Sequence, residues 1–408
     1  MNPAPDPSIP HGAARLTQVL PDRWRAAGAD AADVEALAAL LQRHERRARG
    51  WETASGADVA ARVSGLGAGA RRHLLVKDDA GAVRCWVSVL DRAEGRVLLD
   101  VTIDPTLPGE LADNLAAPLF DWGVRRAATV GVERGVDLTQ VDSGAFADDD
   151  RQRGWLEANG FTKTRTWWQM TRPVTGDEAE LDSLAPPGAG VVIRLVERAA
   201  DGMPDETDLR TVHDILETSF ADHFNSYAET FEEFLTRLRA DPGHRWDHWW
   251  VAELTHDTGR LPEPAGALVG AALVGAVSTQ AESTPGETPA GETPAGEPSP
   301  GGSYVAYLGV LQSARGRGVA KSLLNAFIAD TARRGRDRVA LEVDADSPTR
   351  AERLYVSMGW RTSYVTESWH RDVPATTEVT NGGDTGMSPS SAVVLPLRST
   401  EADTTPSQ

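Results

Sequence analysis

The chain has 408 residues, a single cysteine and a formal net charge of −19 at pH 7. The length exceeds that of a usual single domain and predicts two or three. One cysteine, Cys85, excludes an internal disulfide framework and a paired-cysteine metal site, so we expect no metal. The negative charge argues against nucleic acid or an acidic membrane as a general partner.

The amino terminus lacks a basic and apolar leader pattern, and no apolar run approaches the length of about eighteen residues needed to span a membrane. We therefore expect a soluble cytoplasmic protein. Residues 1–14 are rich in proline and alanine and are expected to be disordered.

The first half of the globular sequence, residues 15–173, alternates between strand and helix patterns. Its predicted elements are a strand at Thr17–Leu20, a helix at Ala31–Arg49, strands at His73–Lys77, Val83–Leu90 and Val97–Ile103, a helix at Leu111–Thr129, a strand at Val136–Val141, a helix at Arg151–Ala158 and a strand at Phe161–Met170.

Residues 174–189 are acidic and contain proline and glycine, which predicts a linker. The second half, residues 190–374, then repeats the order of elements, which indicates a tandem duplication. Its predicted elements are strands at Val191–Leu195, Trp249–Leu254, Ala267–Val277, Tyr304–Leu311, Arg338–Val343 and Trp360–Val373, and helices at Leu209–Ser219, Thr230–Arg239, from about Val319, and at Thr349–Ser357.

Two further segments have compositions that cannot form a packed core. Residues 279–302 repeat Gly-Glu-Thr-Pro-Ala and predict a disordered insertion between two strands. Residues 375–408 predict a disordered tail.

A glycine-rich turn separates the strand Tyr304–Leu311 from the next helix. Gly316 and Gly318 allow a close approach of the backbone to a ligand, and the free N–H groups at the start of the helix favour an anion. The turn therefore predicts a site for a phosphate or pyrophosphate. The basic residues around it are Arg315, Arg317 and Lys321.

Two motifs follow one another in the second half. The first has the pattern V-x-x-x-x-[QR]-x-x-G-x-[GA], matched by Val310, Arg315, Gly318 and Ala320. The second comprises Leu341-Glu342-Val343, Ser347-Pro348-Thr349-Arg350-Ala351, Leu354-Tyr355 and Gly359-Trp360. In order and spacing the two motifs resemble the GNAT family of acetyltransferases, in which the first is the acyl-CoA signature. The resemblance implies an α/β (α+β) fold class with two tandem GNAT folds, each a mixed, mostly antiparallel twisted sheet flanked by helices.

The resemblance also implies acetyl-CoA as the co-substrate and an amine as the acceptor. Backbone N–H groups around Leu308 to Val310 would contact the oxyanion, the turn would hold the pyrophosphate, and Tyr355 would protonate the leaving thiolate. The alternative role for Tyr355 is packing of its helix against the sheet. The expected acetyl-CoA-binding residues are Leu308, Val310, Leu311, Arg315, Gly316, Arg317, Gly318, Val319, Ala320, Lys321 and Ser322.

The general base is left open by the sequence. Some family members place a glutamate at the beginning of the strand that leads into the first motif, where this chain has Tyr304. We therefore treat Tyr355, Glu342 and Tyr304 as the catalytic candidates. Other candidate bases are Asp344, Glu253, His223 and Asp222, and a water chain is the alternative.

The first copy lacks the features that would bind CoA. A proline has no amide to donate, and a leucine side chain at the turn would crowd a phosphate. We expect a structural or substrate-shaping first half, with the chemistry in the second. The aligned replacements are Pro108 for Arg315, Leu111 for Gly318 and Leu156 for Tyr355.

Three functions fit these patterns. The first is acetylation of a small-molecule amine, and the acidic surface favours a cationic or amine acceptor. The second is acetylation of a protein amino terminus or lysine, which an elongated acidic cleft would favour. The third is a CoA-binding sensor or scaffold without catalysis. The tryptophan pairs Trp167-Trp168 and Trp249-Trp250 either line an acceptor pocket or pack in the core, and we expect a monomer or homodimer.

Overall fold

The computed structural model describes residues 14–65, 68–92, 96–180, 186–220, 229–254, 268–278, 301–347 and 350–375. Residues 1–13, the insertion segment 279–300, the tail segment 376–408 and the candidate bases Asp222 and His223 lie outside these ranges. Among the described residues, no helix is both long and apolar enough to cross a membrane. Within the same ranges, no group of three or more histidine, cysteine, aspartate or glutamate side chains is arranged to hold a metal ion.

The elements of the first half are α1 (Ala14–Thr17), β1 (Arg25–Ala27), α2 (Val34–Arg49), α3 (Gly56–Val63), β2 (Arg71–Lys77), β3 (Val83–Asp91), β4 (Arg96–Ile103), α4 (Gly109–Arg134), β5 (Leu138–Phe146), α5 (Asp150–Ala158) and β6 (Thr162–Pro173). From α2 onwards the first half follows the predicted order and adds the helix α3; before α2 it adds a short helix, α1, and a short strand, β1. Ser55 and Asp58 cap α3 reciprocally, side chain to backbone, a pattern that the sequence Ser-x-x-Asp signals.

The predicted strand Thr17–Leu20 is wrong. The Leu20 N–H donates to the Leu16 carbonyl at 3.2 Å, which is the hydrogen bond of a helical turn. Leu16 is buried and Leu20 packs against the same core. Their spacing of four residues places both side chains on one side of a helical turn, and this packing outweighs the strand propensity of the short run.

The second half also matches the predicted order. Thr230 and Glu233 form the capping pair at the start of α7. The elements are β7 (Val191–Leu195), α6 (Glu206–Phe220), α7 (Phe231–Ala240), β8 (His244–Leu254), β9 (Leu268–Ser278), β10 (Gly302–Val310), α8 (Val319–Arg333), β11 (Arg338–Asp344), α9 (Ala351–Ser357) and β12 (Arg361–Pro374). The predicted insertion, residues 279–302, is therefore wrong at its last residue, because Gly302 belongs to β10.

The described strands form one sheet in the order β1-β2-β3-β4-β5-β12-β6-β11-β10-β9-β8-β7. The last strand of each half lies in the other half: β6 pairs with β11, and β12 pairs with β5. These two exchanged strands also pair with each other. The sheets expected for the two halves are thus joined, and unfolding of either half would remove a strand from the other.

The predicted mixed, mostly antiparallel sheet is confirmed. The parallel pairs among the described strands are β4 with β5 and β10 with β11. Strand β10 pairs with β11 only from Ser303 to Val305, and a bulge follows between Val305 and Tyr307. Beyond this point the two strands separate, so a cleft opens within the sheet of the second half.

Helices cover both faces of the sheet. Alternate residues of β2 divide between two cores: Leu74 and Val76 pack with α4, whereas Leu75 packs with α2 and α3. In the second half, Trp250 packs with α8, and Trp249 packs with α6 and α7. The beginning of the predicted linker is also folded, because Val174 is buried in the core under α8.

Candidate functional site

The glycine turn connects β10 to α8. Gly316 and Gly318 have φ angles of +77° and +75°, in the left-handed region that favours glycine. A Cβ atom added at either position would meet no atom within 4 Å. The backbone conformation therefore favours glycine here, and the space in front of the turn is open.

The start of α8 faces this open space. Gly318 precedes the helix, and no side chain caps it, so the first N–H groups of α8 lack partners within the helix. Arg315, Arg317 and Lys321 are exposed around them. The Ser322 hydroxyl instead donates to the Gly318 carbonyl at 3.2 Å. Free amides, the positive end of the helix dipole and basic side chains together suit an anion.

A cavity of about 670 Å³ lies where β10 and β11 separate, a volume typical of ligand pockets. Of the predicted acetyl-CoA-binding set, the lining residues are Leu308, Val310, Arg315, Gly316, Gly318, Val319, Ala320 and Lys321. Leu311, Arg317 and Ser322 do not line it. All three catalytic candidates, Tyr304, Glu342 and Tyr355, are also among the lining residues.

Tyr355 lies on α9 and is 8% exposed. Its ring meets the edge of Trp360 with centroids 5.9 Å apart, so it packs the helix against the sheet while it also lines the cavity. Burial raises the pKa of its hydroxyl to about 12. The phenol is therefore protonated throughout the neutral range and is available as a hydrogen-bond donor.

Glu342 lies on the part of β11 that has separated from β10, and its carboxylate accepts a hydrogen bond from Gln169 Nε2 of β6. Solvent reaches the side chain from the cleft. Surrounding protein atoms nevertheless displace much of the bulk water, and this desolvation raises the pKa of the Glu342 carboxyl, against the effect of the Gln169 hydrogen bond. A carboxylate with a raised pKa is a stronger base than an ordinary glutamate.

The other described carboxylate candidates have structural partners. Asp344 is buried, lies 3.3 Å from Arg165 Nε and accepts a hydrogen bond from the Asp346 N–H. Glu253 forms an ion pair with Arg194 at 2.5 Å. Glu342 has no ion pair among the described residues, so it is the carboxylate best placed to accept a proton in this cavity.

A second cavity of about 710 Å³ lies beneath α2 and α3. It shares Trp167 and Glu342 with the first cavity, so the two meet at these side chains. Its wall includes Thr366, Glu367 and Ser368 of the exchanged strand β12. The sequence did not predict this cavity, because its walls come from strands whose pairing is not encoded in a local pattern.

Residues 210–360 match the acetyltransferase (GNAT) family. This part of the chain is a GNAT acetyltransferase domain. The chain is 30% identical over 216 residues to the mycothiol acetyltransferase of Frankia casuarinae, a match that covers 53% of this chain and 54% of that protein. The chain thus spans about half the length of the curated relative it matches.

The GNAT fold extends over both halves. A GCN5-related N-acetyltransferase from Sphaerobacter thermophilus matches 88% of this chain and 99% of its own, with a TM-score of 0.61 and 23% identity. A tandem GNAT protein from the clavulanic acid biosynthesis pathway matches 87% of this chain and all of its own, with a TM-score of 0.56 and 13% identity. At these identities the similarity shows the fold alone.

The first half has a shorter turn than the GNAT domain of the second half. Residues 104–108 separate β4 from α4, whereas residues 311–318 separate β10 from α8. The predicted alignment of Leu111 with the second glycine is therefore wrong: the shorter turn ends at Pro108, and Leu111 lies inside α4. The segment that holds the glycines in the GNAT domain has no counterpart here.

Two buried residues distinguish the first half further. The Asp104 carboxylate is fully buried at the start of its turn and accepts hydrogen bonds from Arg43 and Arg84. Leu156 occupies the position of Tyr355, since the Phe161 N–H donates to its carbonyl as the Trp360 N–H does to that of Tyr355. A buried carboxylate beside the turn and the missing hydroxyl both oppose a CoA site in this half.

Proposed function

We propose that the chain is an acetyl-CoA-dependent N-acetyltransferase that acts on a primary amine of a small molecule, with the chemistry in residues 190–374. The observation that carries this proposal is the meeting of two cavities at Glu342 and Trp167. One contains the glycine turn and suits acetyl-CoA, and the other has room for the acceptor. Direct transfer requires two bound reactants to meet beside a base.

The turn and the separated strand divide the contacts to acetyl-CoA. The amides around Gly316 and Gly318, together with Arg315 and Lys321, would hold the pyrophosphate. Beyond Val305, the side of β10 that faced β11 has no partner strand. Alternate N–H groups of a strand point to the same side, so this stretch presents an N–H to the thioester oxygen and stabilises its developing negative charge.

Glu342 would accept a proton from the acceptor amine as the new C–N bond forms and the C–S bond breaks. Its raised pKa lies closer to that of an amine than an ordinary carboxylate's does, which lowers the free energy of proton transfer. A carboxylate that is already paired, such as Asp344, is a weaker base because its partner stabilises the charged form.

Tyr355 would donate a hydrogen bond to the departing sulfur. Full transfer of its proton is unfavourable: from a phenol of pKa about 12 to a thiolate of pKa about 8.5 it costs about 5 kcal/mol. Tyr355 therefore stabilises the departing thiolate by a hydrogen bond, and does not fully protonate it as the resemblance implies. The proton released by the amine then neutralises the thiolate.

The acceptor cavity favours a small molecule over a protein. Its charged lining is mixed in sign, and part of it is already paired: Arg96 lies 2.5 Å from Asp142, and Lys163 lies 2.7 Å from Glu367. This lining does not form the elongated acidic cleft that would favour a lysine-bearing protein. The presence of Glu342 and Tyr355 in one cavity supports catalysis over a CoA sensor.

The experiment is thiol release from acetyl-CoA with a panel of small amines and short peptides, with mass spectrometry of the products. We expect Glu342→Gln to lower kcat/KM by about 10²–10⁴ while it leaves acetyl-CoA binding unchanged. The control is Glu206→Gln, because Glu206 pairs with Arg210 on the outside of α6 and should leave turnover intact.

Each alternative outcome has a distinct meaning. Acetyl-CoA binding without thiol release for any amine would identify a sensor. Acetylation confined to peptides would move the acceptor to the protein class. A wild-type chain that binds no acetyl-CoA would refute the proposal altogether.

A further inference from the structure

A third cavity, of about 650 Å³, lies between the first half and α7 of the second half. It adjoins the acceptor cavity, because Asp58, Arg62, Arg92 and Leu98 line both. Its wall in the first half carries four arginines, at positions 62, 71, 92 and 134. Neither the glycine turn nor the resemblance to the GNAT family accounts for this group.

The positive charge of this wall is only partly compensated. Arg134 is paired with Asp91 at 3.1 Å. In contrast, no carboxylate of the described residues lies within 4 Å of the guanidinium of Arg62 or Arg71, and Arg71 donates to the neutral Ser88 hydroxyl at 3.2 Å. These two guanidiniums therefore retain capacity for an anionic partner.

The arginines are also close enough to repel one another. Burial is the main cause of the lowered pKa of the Arg71 guanidinium; attraction from Asp100 opposes it, and repulsion from Arg62 and Arg92 adds to it. A cluster of groups with the same charge in a partly desolvated cavity raises the free energy of the folded chain unless an opposite charge binds beside it. A bound anion would relieve this repulsion.

The opposite wall does not supply that counter-charge. Glu229 is engaged by Arg237 through two hydrogen bonds of 2.8 and 2.6 Å. Glu233 caps the start of α7, and Asp241 accepts a hydrogen bond from the Gly243 N–H at 2.8 Å. Of the carboxylates on this wall, Glu232 alone has no such contact among the described residues, and it is solvent-exposed.

We infer that Arg62 and Arg71 bind a carboxylate or phosphate group at the end of the acceptor cavity away from the glycine turn. Planar guanidiniums suit both anions because they donate paired hydrogen bonds. The source of the anion is the acceptor itself, which is then an amine with a distal acidic group, or a separate small anion. The link to the acceptor rests on the proposed function, whereas the anion site does not.

The first test is calorimetric titration of the CoA-saturated chain with inorganic phosphate and with succinate. CoA fills the glycine turn, so binding that persists reports a different anion site. We expect the Arg62→Gln/Arg71→Gln variant to bind at least about tenfold more weakly, as removal of charge-assisted hydrogen bonds predicts. Equal binding by wild type and variant, or no binding of either anion by wild type, overturns the inference.

Two variants control this test. Arg72→Gln removes a neighbouring charge that does not line the cavity, because the Arg72 guanidinium donates to the Gly69 carbonyl. It should bind as wild type does. The single variant Arg62→Gln, with an unchanged melting temperature, separates a lost anion contact from a folding defect.

The second test distinguishes the two sources by thiol release. Ethanolamine is compared with phosphoethanolamine, and butylamine with 4-aminobutyrate. If the acceptor carries the anion, wild type prefers the acidic member of each pair, and the double variant loses this preference. If the anion is separate, wild type shows no such preference. Phosphate then changes the turnover of the amines that lack an acidic group, ethanolamine and butylamine, in wild type only.

Failure of thiol release with every amine would refute the proposed function. The calorimetric result would still decide the anion site.

Discussion

Substitution of Gly318 by alanine separates the role of the glycine turn in binding from its role in folding. Gly318 has a φ of +75°, and an added Cβ meets no atom within 4 Å. The expected loss of stability is therefore the strain of an L-residue in the left-handed region, about 1–2 kcal/mol, with no steric contribution. The Cβ would, however, stand where the pyrophosphate must approach the amides.

Gly335 provides a matched control. It follows the other end of α8 with a φ of +67° and equally open surroundings. The 15 residues of α8 place it about 22 Å away along the helix. Gly335→Ala should therefore cost the same 1–2 kcal/mol and leave the acetyl-CoA cavity intact.

The measurements are urea unfolding and calorimetric titration with acetyl-CoA for wild type and both variants. We expect equal loss of stability in both, and about ten- to a hundredfold weaker acetyl-CoA binding in Gly318→Ala alone. This range corresponds to the loss of one charge-assisted hydrogen bond, about 1.5–3 kcal/mol. Equal weakening in both variants would attribute the effect to folding, and wild-type binding by Gly318→Ala would show that the turn does not hold the phosphates.

Three further predictions concern stability. Partial desolvation raises the pKa of Glu342, so its ionisation above that pKa opposes folding. Glu342→Gln should therefore unfold at higher urea than wild type at pH 8, and the difference should shrink towards pH 4; a difference independent of pH would contradict this. Asp104→Asn should destabilise the chain by about 3 kcal/mol. This value is the low end of the range for breaking a buried ion pair, chosen because the Arg43 side chain is 33% exposed. Burial raises the pKa of Asp104, but its hydrogen bonds outweigh burial and the net shift is downward, so in wild type this contribution should be lost as the pH falls through that lowered pKa; equal unfolding midpoints of Asp104→Asn and wild type at pH 7 would argue against it. Gly275→Ala would place a Cβ 2.5 Å from Phe327 Cε2 and should cost about 1–3 kcal/mol, measured by thermal unfolding against wild type; an unchanged melting temperature would contradict it.

Much of the fold was predictable because its signals are local. The order of strands and helices follows from side-chain periodicity, which acts over a few residues. The turn at Gly316 and Gly318 was predictable for the same reason. A positive φ is a local backbone property, and glycine is the residue that adopts it most readily. The helix α3 was also within reach of the sequence through the cap at Ser55 and Asp58.

The errors arose where tertiary packing competes with local preference. The run Thr17–Leu20 has strand propensity but is too short to resist packing of Leu16 into the core. The alignment of Leu111 with a glycine failed because the turn of the first half is three residues shorter. The sequence of the shorter turn does not show where these residues are missing.

The sequence by itself determined most of the elements, their order and the glycine turn. Only the tertiary structure decided which strands became neighbours, because pairing depends on the free energy of contacts between segments up to two hundred residues apart. The exchange of β6 and β12 brings Gln169 and Trp167 beside Glu342, and this contact places the carboxylate at the meeting of two cavities. The raised pKa of Glu342 follows from that surrounding, so no local pattern could distinguish it from Asp344 or Glu253.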